Sequence, residues 1–410
     1  MTSLAPPSPD ASIRSDSVVD AAGRQLAAEW VHVQYSETAQ FTEVYGFAGS
    51  QGKVNLEGVR LSPHGRPSKA LVVMMHPSTA MEFLPVPRAL AAAGVHVLCA
   101  GNRYFRNDTP LIMEKVALDL GAYLRHAREV WNYEKIVLLG WSGGGPLALF
   151  YQSQAEKPTV TATPSGEPID LAAAKLPKAD AVMFQAANLS RPALLAETID
   201  PSVIDENDPD KRMREFDIYD PANPNQPPYG HDFIRAYRAA QLARMQRKSD
   251  WCKELLERLR SGGGKEIERG FVTHRTMADL RFVDPAVDPN DRKPRWTHIG
   301  DPEAANCGPA GLGRYSTLRA WLSQWSIQDS NVNGERAAAS LSVPLLIVEN
   351  SADEACPASD PRRIHSAAGS RDKTFEVIKG ATHYYQGQPE HLKRAVELCI
   401  RWMQARNLLD

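Results

Sequence analysis

Short, continuous apolar runs alternate with helix-length segments over most of the chain, and this alternation restricts its fold more than any other feature. The runs are ALVVMMHP (70–77), VHVLCAG (95–101), KIVLLGWS (135–142), ADAVMFQA (179–186), VPLLIVEN (343–350) and TFEVIKGA (374–381). Strands that are covered on both faces have such runs. Helix-length segments between them imply right-handed crossovers between parallel strands. We therefore predict an α/β fold with a mainly parallel, doubly wound sheet.

The order of the segments predicts a core that is interrupted by one large insertion. Residues 1–26, rich in Pro, Ser and Ala near their start, are predicted to be a flexible tail. Residues 27–190 and 337–410 are predicted to form the core, which begins with EWVHVQY and KVNLEGVRLSP, two alternating runs typical of antiparallel strands. Residues 191–336 interrupt the alternation and are predicted to form a mostly helical cap, or lid, subdomain.

The composition argues against several classes of partner. Lys plus Arg total 47 and Asp plus Glu total 49, so the net charge of −2 gives no general field that would attract nucleic acid or an anionic membrane. No apolar run approaches the length of a membrane span, and the first residues lack the pattern of a signal peptide. The five cysteines are scattered and form no C-x-x-C pair, which favours reduced thiols in a cytoplasmic protein.

One apolar run ends in a serine surrounded by glycines, Gly140-Trp141-Ser142-Gly143-Gly144, which fits the pattern G-x-S-x-G. The pattern lies where a buried strand ends and a helix begins, so the chain must turn sharply there, and side chains in place of the glycines would collide with neighbouring elements. The turn presents the Ser142 hydroxyl at the carboxyl edge of the sheet, at the positive end of the following helix. We interpret Ser142 as a nucleophile.

A serine hydroxyl needs a base to take its proton, and the base needs an orienting acid. Asp353 and His383 each come just after one of the last two apolar runs, and therefore at the same edge of the sheet as Ser142. We predict His383 as the general base and Asp353 as the acid that orients it. Glu349 and Glu354 flank Asp353 and are the alternative acids.

The motifs GWSGGG, SADEACP and GATHYY, in the order Ser, Asp, His, resemble those of the α/β-hydrolase superfamily. The resemblance covers the predicted core, and the insertion resembles the cap that many members carry between the sixth and seventh strands. It implies a cofactor-independent serine hydrolase that cleaves a carboxylic ester through an acyl-enzyme. Carbon–carbon bond hydrolases, thioesterases and amidases with the same triad remain alternatives, and a binding protein of this fold without chemistry is a third.

The loop after the third strand departs from the family pattern, in which His-Gly is frequent and a backbone N–H from the loop helps to form the oxyanion hole. This chain has Pro77 in place of the glycine, and proline has no N–H to donate. By position, the expected donors are the backbone N–H groups of Gly143 and Ser78, with Thr79 as the alternative to Ser78. For His76 we expect hydrogen bonds to nearby backbone, with a direct catalytic role as the alternative.

Aromatic residues predict an amphipathic substrate pocket. Tyr104 and Tyr384 follow strands at the carboxyl edge, and Trp141 precedes the nucleophile. Trp321 and Trp325 lie on one face of a predicted helix near the end of the insertion, where they either line this pocket or form the core of the insertion.

We expect no cofactor, since the chain has no P-loop and no G-x-G-x-x-G motif that opens a helix, and no metal, since its cysteines form no C-x-x-C pair. Cys356 is expected to be a small apolar residue, and His274 and His298 are expected to be solvated or bound to loops. The expected partner is a small-molecule substrate, and a homodimer is left open.

Overall fold

The computed structural model describes residues 23, 25–37, 53–263 and 265–409. Most of the predicted tail, residues 1–22 and 24, lies outside these ranges. The first strand begins at Leu26, one residue before the predicted start of the core.

The strands form one large mixed sheet and a small one. In chain order they are β1 Leu26–Ser36, β2 Lys53–Pro63, β3 Ala70–Met75, β4 Val97–Ala100, β5 Lys135–Ser142, β6 Ala181–Ala187, β7 Gly270–Val272, β8 Tyr315–Thr317, β9 Leu345–Asn350 and β10 Lys373–Ile378. The main sheet has eight strands in the order β1-β2-β4-β3-β5-β6-β9-β10, and β7 pairs with β8 alone. Only β1 with β2 and β2 with β4 are antiparallel within the main sheet. The prediction of a mainly parallel α/β sheet is confirmed.

Helices cover both faces of the main sheet. The α-helices are α1 Pro85–Ala92, α2 Met113–Glu129, α3 Gly144–Glu156, α4 Arg191–Thr198, α5 His231–Ser261, α6 Pro302–Cys307, α7 Leu318–Gln324, α8 Gly334–Ser340, α9 Ser359–Ala367 and α10 Pro389–Gln404. Short 3₁₀ turns cover Met81–Phe83, Arg214–Phe216 and Leu280–Phe282. Within the described ranges, no helix is both long and apolar enough to cross a membrane.

The interior strand β6 is covered on both faces, and its sequence is apolar except for Gln185. Val182 and Phe184 pack into the apolar cluster that includes α2 and α3, while Ala181 and Met183 pack into the cluster on the opposite face, with α1 and α10. Because successive side chains point to opposite faces, a strand that is covered on both faces is apolar at most positions. Gln185, the exception, donates its side-chain N–H to the Tyr385 hydroxyl at 2.7 Å.

The segment between β6 and β9 has an apolar core of its own. Leu195 of α4, Met245 of α5 and Leu318 of α7 belong to this cluster. The segment returns to the main core at α8, where Ala337 and Ala338 pack among the core residues.

Candidate active site

Ser142 lies at the sharp turn between β5 and α3. Its φ of 54° is in the left-handed region, which non-glycine residues rarely adopt. A Cβ at Gly140 would lie 2.5 Å from the carbonyl oxygen of Gly144, and a Cβ at Gly144 would lie 2.5 Å from that of Met75. The glycines therefore allow the strand, turn and helix to approach one another closely enough to hold Ser142 in this strained conformation.

Ser142, His383 and Asp353 form a chain of hydrogen bonds at the carboxyl edge of the sheet. His383 Nε2 lies 3.2 Å from Ser142 Oγ. On the other side of the ring, Nδ1 lies 2.8 Å from Asp353 Oδ2. Because the carboxylate accepts from Nδ1–H, a neutral ring has its free lone pair on Nε2, facing the serine hydroxyl.

The loop after β9 holds the Asp353 carboxylate in place. Its second oxygen, Oδ1, accepts backbone N–H groups from Ala355 and Cys356, each at 2.8 Å. The carboxylate and the imidazole are both buried, and His383 is only 1% exposed. This loop therefore fixes the direction in which Asp353 meets the histidine.

The two alternative acids have other partners. Glu349 lies within β9, where both of its carboxylate oxygens accept from Arg362, at 2.9 and 3.1 Å. Glu354 accepts the backbone N–H of His383 at 3.2 Å and does not bond its ring. Burial and the neighbouring Asp353 raise the pKa of Glu354. Asp353 is thus the carboxylate that the geometry places on the imidazole.

Aromatic rings surround His383. The ring centroid of Trp141 lies 4.3 Å from that of His383, and the centroid of Tyr384 lies 4.9 Å away. Trp141 and Tyr384 also contact each other, at 5.3 Å. These two predicted pocket residues therefore pack against the His383 ring, with Trp141 buried in the core and Tyr384 half-buried.

His298, which belongs to the insertion, lies beside the same imidazole, with 6.0 Å between the ring centroids of His298 and His383. Burial is the main cause that lowers its pKa, to about 4, so its ring is neutral near pH 7. Among the described residues, its buried Nδ1 has no hydrogen-bond partner. Sequence reasoning missed this placement, because it depends on how the insertion folds back, and no local pattern around residue 298 signals that.

The other predicted pocket residues are placed in apolar cores. Trp321 is fully buried in the core of the insertion, where its indole N–H donates to Ser249 Oγ at 3.0 Å. Trp325 is 2% exposed in the same cluster, with the Arg191 guanidinium 4.2 Å from its ring centroid. Tyr104 is buried in the main core on the α2 side. Trp321 and Trp325 therefore lie in the core of the insertion, which is the alternative that the sequence left open, and Tyr104 packs in the main core.

The expected oxyanion loop is arranged differently from the prediction. The N–H groups of Ser78 and Thr79 both donate to His76 Nδ1, at 3.1 and 3.0 Å. The Asn102 side chain donates to the carbonyl of His76 at 3.1 Å and holds the loop against the end of β4. Gly143 directly precedes α3, as predicted. The Ser78 N–H is therefore already engaged by a side chain, and so is the alternative at Thr79.

The groups that could hold a metal among the described residues are Asp353, Cys356 and His383, whose ligand atoms lie within 4.8 Å of one another. Burial raises the pKa of the Cys356 thiol well above its usual range, so it keeps its proton at neutral pH. That thiol donates to the carbonyl of Ala186 at 3.3 Å. The three residues are thus held close together by hydrogen bonds within the loops that carry them.

No protein-family model and no curated protein matches the sequence significantly. Solved structures with a similar overall arrangement include the esterase domain of a Rhodothermus marinus protein (13% identity, 92% of this chain and 98% of that one, TM-score 0.44). They also include the monoacylglycerol lipase of Paleococcus ferrophilus (14%, 85% and 98%, 0.45) and Est1E from Butyrivibrio proteoclasticus (13%, 86% and 94%, 0.46). At these identities and TM-scores, the class of the protein rests on its own topology.

That topology defines the α/β-hydrolase fold: a mostly parallel eight-stranded sheet with β2 antiparallel to its neighbours, and a sharp serine-bearing turn after β5. A helical insertion lies between β6 and β9, the sixth and seventh strands of the main sheet.

Proposed function

We propose that this protein is a cofactor-independent serine hydrolase that cleaves a carboxylic ester through an acyl-enzyme. The observation that carries the proposal is the continuous hydrogen-bond chain from Ser142 through His383 to Asp353. Each member follows a different strand of one sheet, and the order and orientation are those that serine activation requires.

The geometry suits the first half of such a reaction. Ser142 Oγ attacks the carbonyl carbon of the ester while its proton passes to His383 Nε2. The imidazolium is stabilised by the Asp353 carboxylate, and it then gives the proton to the departing alcohol oxygen. The acyl group remains bonded to Ser142.

The second half repeats these steps with water. His383 takes a proton from the water as its oxygen attacks the acyl carbon, and returns that proton to Ser142 as the carboxylic acid leaves. All proton transfers use groups that are present in the chain, so the reaction balances without a cofactor.

We also propose that residues 191–336 act as a cap over the nucleophile. Three contacts support this proposal. The Asn290 side chain donates to the Asp353 carbonyl at 2.9 Å, Lys379 pairs with Asp291 at 2.7 Å, and His298 lies beside His383. A cap in this position excludes water from acylation and shapes the space for the substrate.

The same triad in this fold also suits thioesters, amides and activated carbon–carbon bonds, and these form the alternative function. A binding protein without chemistry is a weaker alternative, because the complete chain of Ser142, His383 and Asp353 has no role in binding alone.

Steady-state kinetics on p-nitrophenyl esters of increasing acyl length test the proposal. The wild-type protein should hydrolyse at least the short esters, and Ser142→Ala should lower kcat by several orders of magnitude without a change in thermal unfolding. Ser366→Ala, at an exposed serine of α9, is the matched control and should retain full activity. Equal residual rates in the wild type and Ser142→Ala would overturn the proposal. Faster turnover of a thioester or a vinylogous 1,5-diketone than of any ester would favour the alternative.

A further inference from the structure

The imidazole of His76 lies between the loop after β3 and the turn that carries the nucleophile. Its Nδ1 accepts two backbone N–H groups, from Ser78 and Thr79. A backbone N–H can only donate, so Nδ1 cannot itself carry a hydrogen. A neutral ring with this environment therefore carries its hydrogen on Nε2.

The ring of His76 is neutral under working conditions. Burial lowers its pKa to about 3, and the nearby Arg191 guanidinium acts in the same direction. Nε2–H is thus a fixed donor that does not titrate between roughly pH 5 and 9.

That donor lies close to the residue after the nucleophile. His76 Nε2 lies 2.9 Å from the position of a Cβ built on Gly143. Since Cβ and N are bonded to the same Cα, each about 1.5 Å away, Nε2 is at most about 5.5 Å from the Gly143 nitrogen. Two donors that each lie about 3 Å from one oxyanion can be up to about 6 Å apart, so the two N–H groups are close enough to share one.

We propose that the His76 Nε2–H is an oxyanion-hole donor, acting with the Gly143 N–H in place of a backbone N–H from the loop after β3. The proposal rests on the proposed function. As Ser142 attacks, the carbonyl π pair moves onto oxygen, and both N–H groups hydrogen-bond that oxygen without giving up a proton. The lack of an N–H at Pro77 then removes no oxyanion donor, because the His76 side chain supplies that hydrogen bond. The N–H groups of Ser78 and Thr79 hold the His76 ring in place.

Two substitutions separate this catalytic role from a purely structural one. His76→Asn keeps an acceptor oxygen near the position of Nδ1 but has no donor near Nε2. His76→Gln keeps an amide that can donate near Nε2 but loses the Nδ1 acceptor. An oxyanion donor requires that His76→Asn lose about a hundredfold or more in kcat with KM within a few-fold, and that His76→Gln lose less. A role limited to holding the loop predicts the reverse order and overturns the inference.

Folding and the proposed function are checked in the same series. His126→Asn, at the far end of α2, is the matched control and should have wild-type kinetics. Thermal unfolding of His76→Asn should stay near that of the wild type. Affinity for a trifluoromethyl ketone, whose adduct on Ser142 bears an oxyanion, should fall about a hundredfold in His76→Asn.

If the wild type neither hydrolyses esters nor binds the ketone, the proposed function is wrong and the inference falls with it. If the wild type does both and His76→Asn matches it, the inference alone is wrong.

Discussion

His383 Nε2 lies 3.2 Å from Ser142 Oγ although 241 positions separate the two residues in the chain. Ser142 ends β5 and His383 follows β10, and these strands are separated by β6 and β9 in the sheet. The contact is therefore made by tertiary structure, through loops that all leave the sheet at its carboxyl edge. Each prediction below follows from how those loops are held.

The identity of the acid can be tested by three matched amide substitutions. Asp353→Asn should lower kcat by about three to four orders of magnitude, because the amide no longer fixes the proton on Nδ1 or stabilises the imidazolium. Glu349→Gln and Glu354→Gln should each retain activity within about tenfold, since neither carboxylate bonds the ring. Near-normal kcat in Asp353→Asn together with inactive Glu354→Gln would reassign the acid.

Substitutions of the first two of the three glycines after the nucleophile should have different effects. In Gly143→Ala, whose φ of −62° suits alanine, the methyl group meets His76 Nε2 at 2.9 Å and displaces the ring from its place, so kcat should fall at least tenfold with little change in unfolding. In Gly144→Ala the methyl group meets the Met75 carbonyl at 2.5 Å, and the strand cannot give way. That variant should lose about 1 to 3 kcal/mol of stability. Kinetics and thermal melts on both variants make the test, and the opposite pattern would contradict this placement of His76.

The neutral state of His298 predicts a pH dependence of stability. Its folded pKa is about 4, whereas an unfolded histidine binds a proton below about pH 6.5. Between these values the unfolded chain binds more protons, so the unfolding free energy falls as the pH falls. In His298→Gln this contribution is absent, and the decline between roughly pH 6 and 4.5 should be shallower. Urea unfolding at several pH values measures it, and an unchanged slope would mean that His298 is not buried beside His383.

Aromatic residues in the core and aromatic residues beside His383 should respond differently to substitution. Trp321→Ala should cost about 3 to 5 kcal/mol of stability and reduce activity on small and large esters alike, because its ring fills the core of the insertion. Tyr384→Ala, beside His383, should change KM for a bulky aromatic ester more than for an acetate ester. Unfolding together with kinetics on both esters decides between these roles. Normal stability in Trp321→Ala with a selective loss on the large ester would return Trp321 to the pocket wall.

The sequence predicted most of the fold because each buried strand has a continuous apolar run and each strand end has a turn signal. The positions of Ser142, Asp353 and His383 followed from the same rule, since residues after parallel strands meet at one edge of the sheet. The sequence could not predict whether a given aromatic side chain packs in a core or lines the substrate pocket. Trp321 and Trp325 have the spacing of a helix face that suits either a core or a pocket, and packing alone decides between them.

The loop after β3 shows a second limit. Position alone suggested the Ser78 N–H as a donor, but whether an N–H is free depends on where nearby side chains turn. His76 turns back to accept the N–H groups of Ser78 and Thr79, a local arrangement that Pro77 hints at by its lack of an N–H. The sequence around His298 gives no comparable signal, because its contact with His383 depends on how the insertion folds back onto the core.

Intact-mass analysis after treatment with a fluorophosphonate tests the central claim, that Ser142 is a nucleophile activated by His383, most directly. The wild type should gain one phosphonyl group, and peptide mapping should place it on Ser142. Ser142→Ala should gain none, and His383→Ala should react at least a hundredfold more slowly. A wild-type protein that stays unlabelled, or one labelled at another residue in the folded state, would contradict the account.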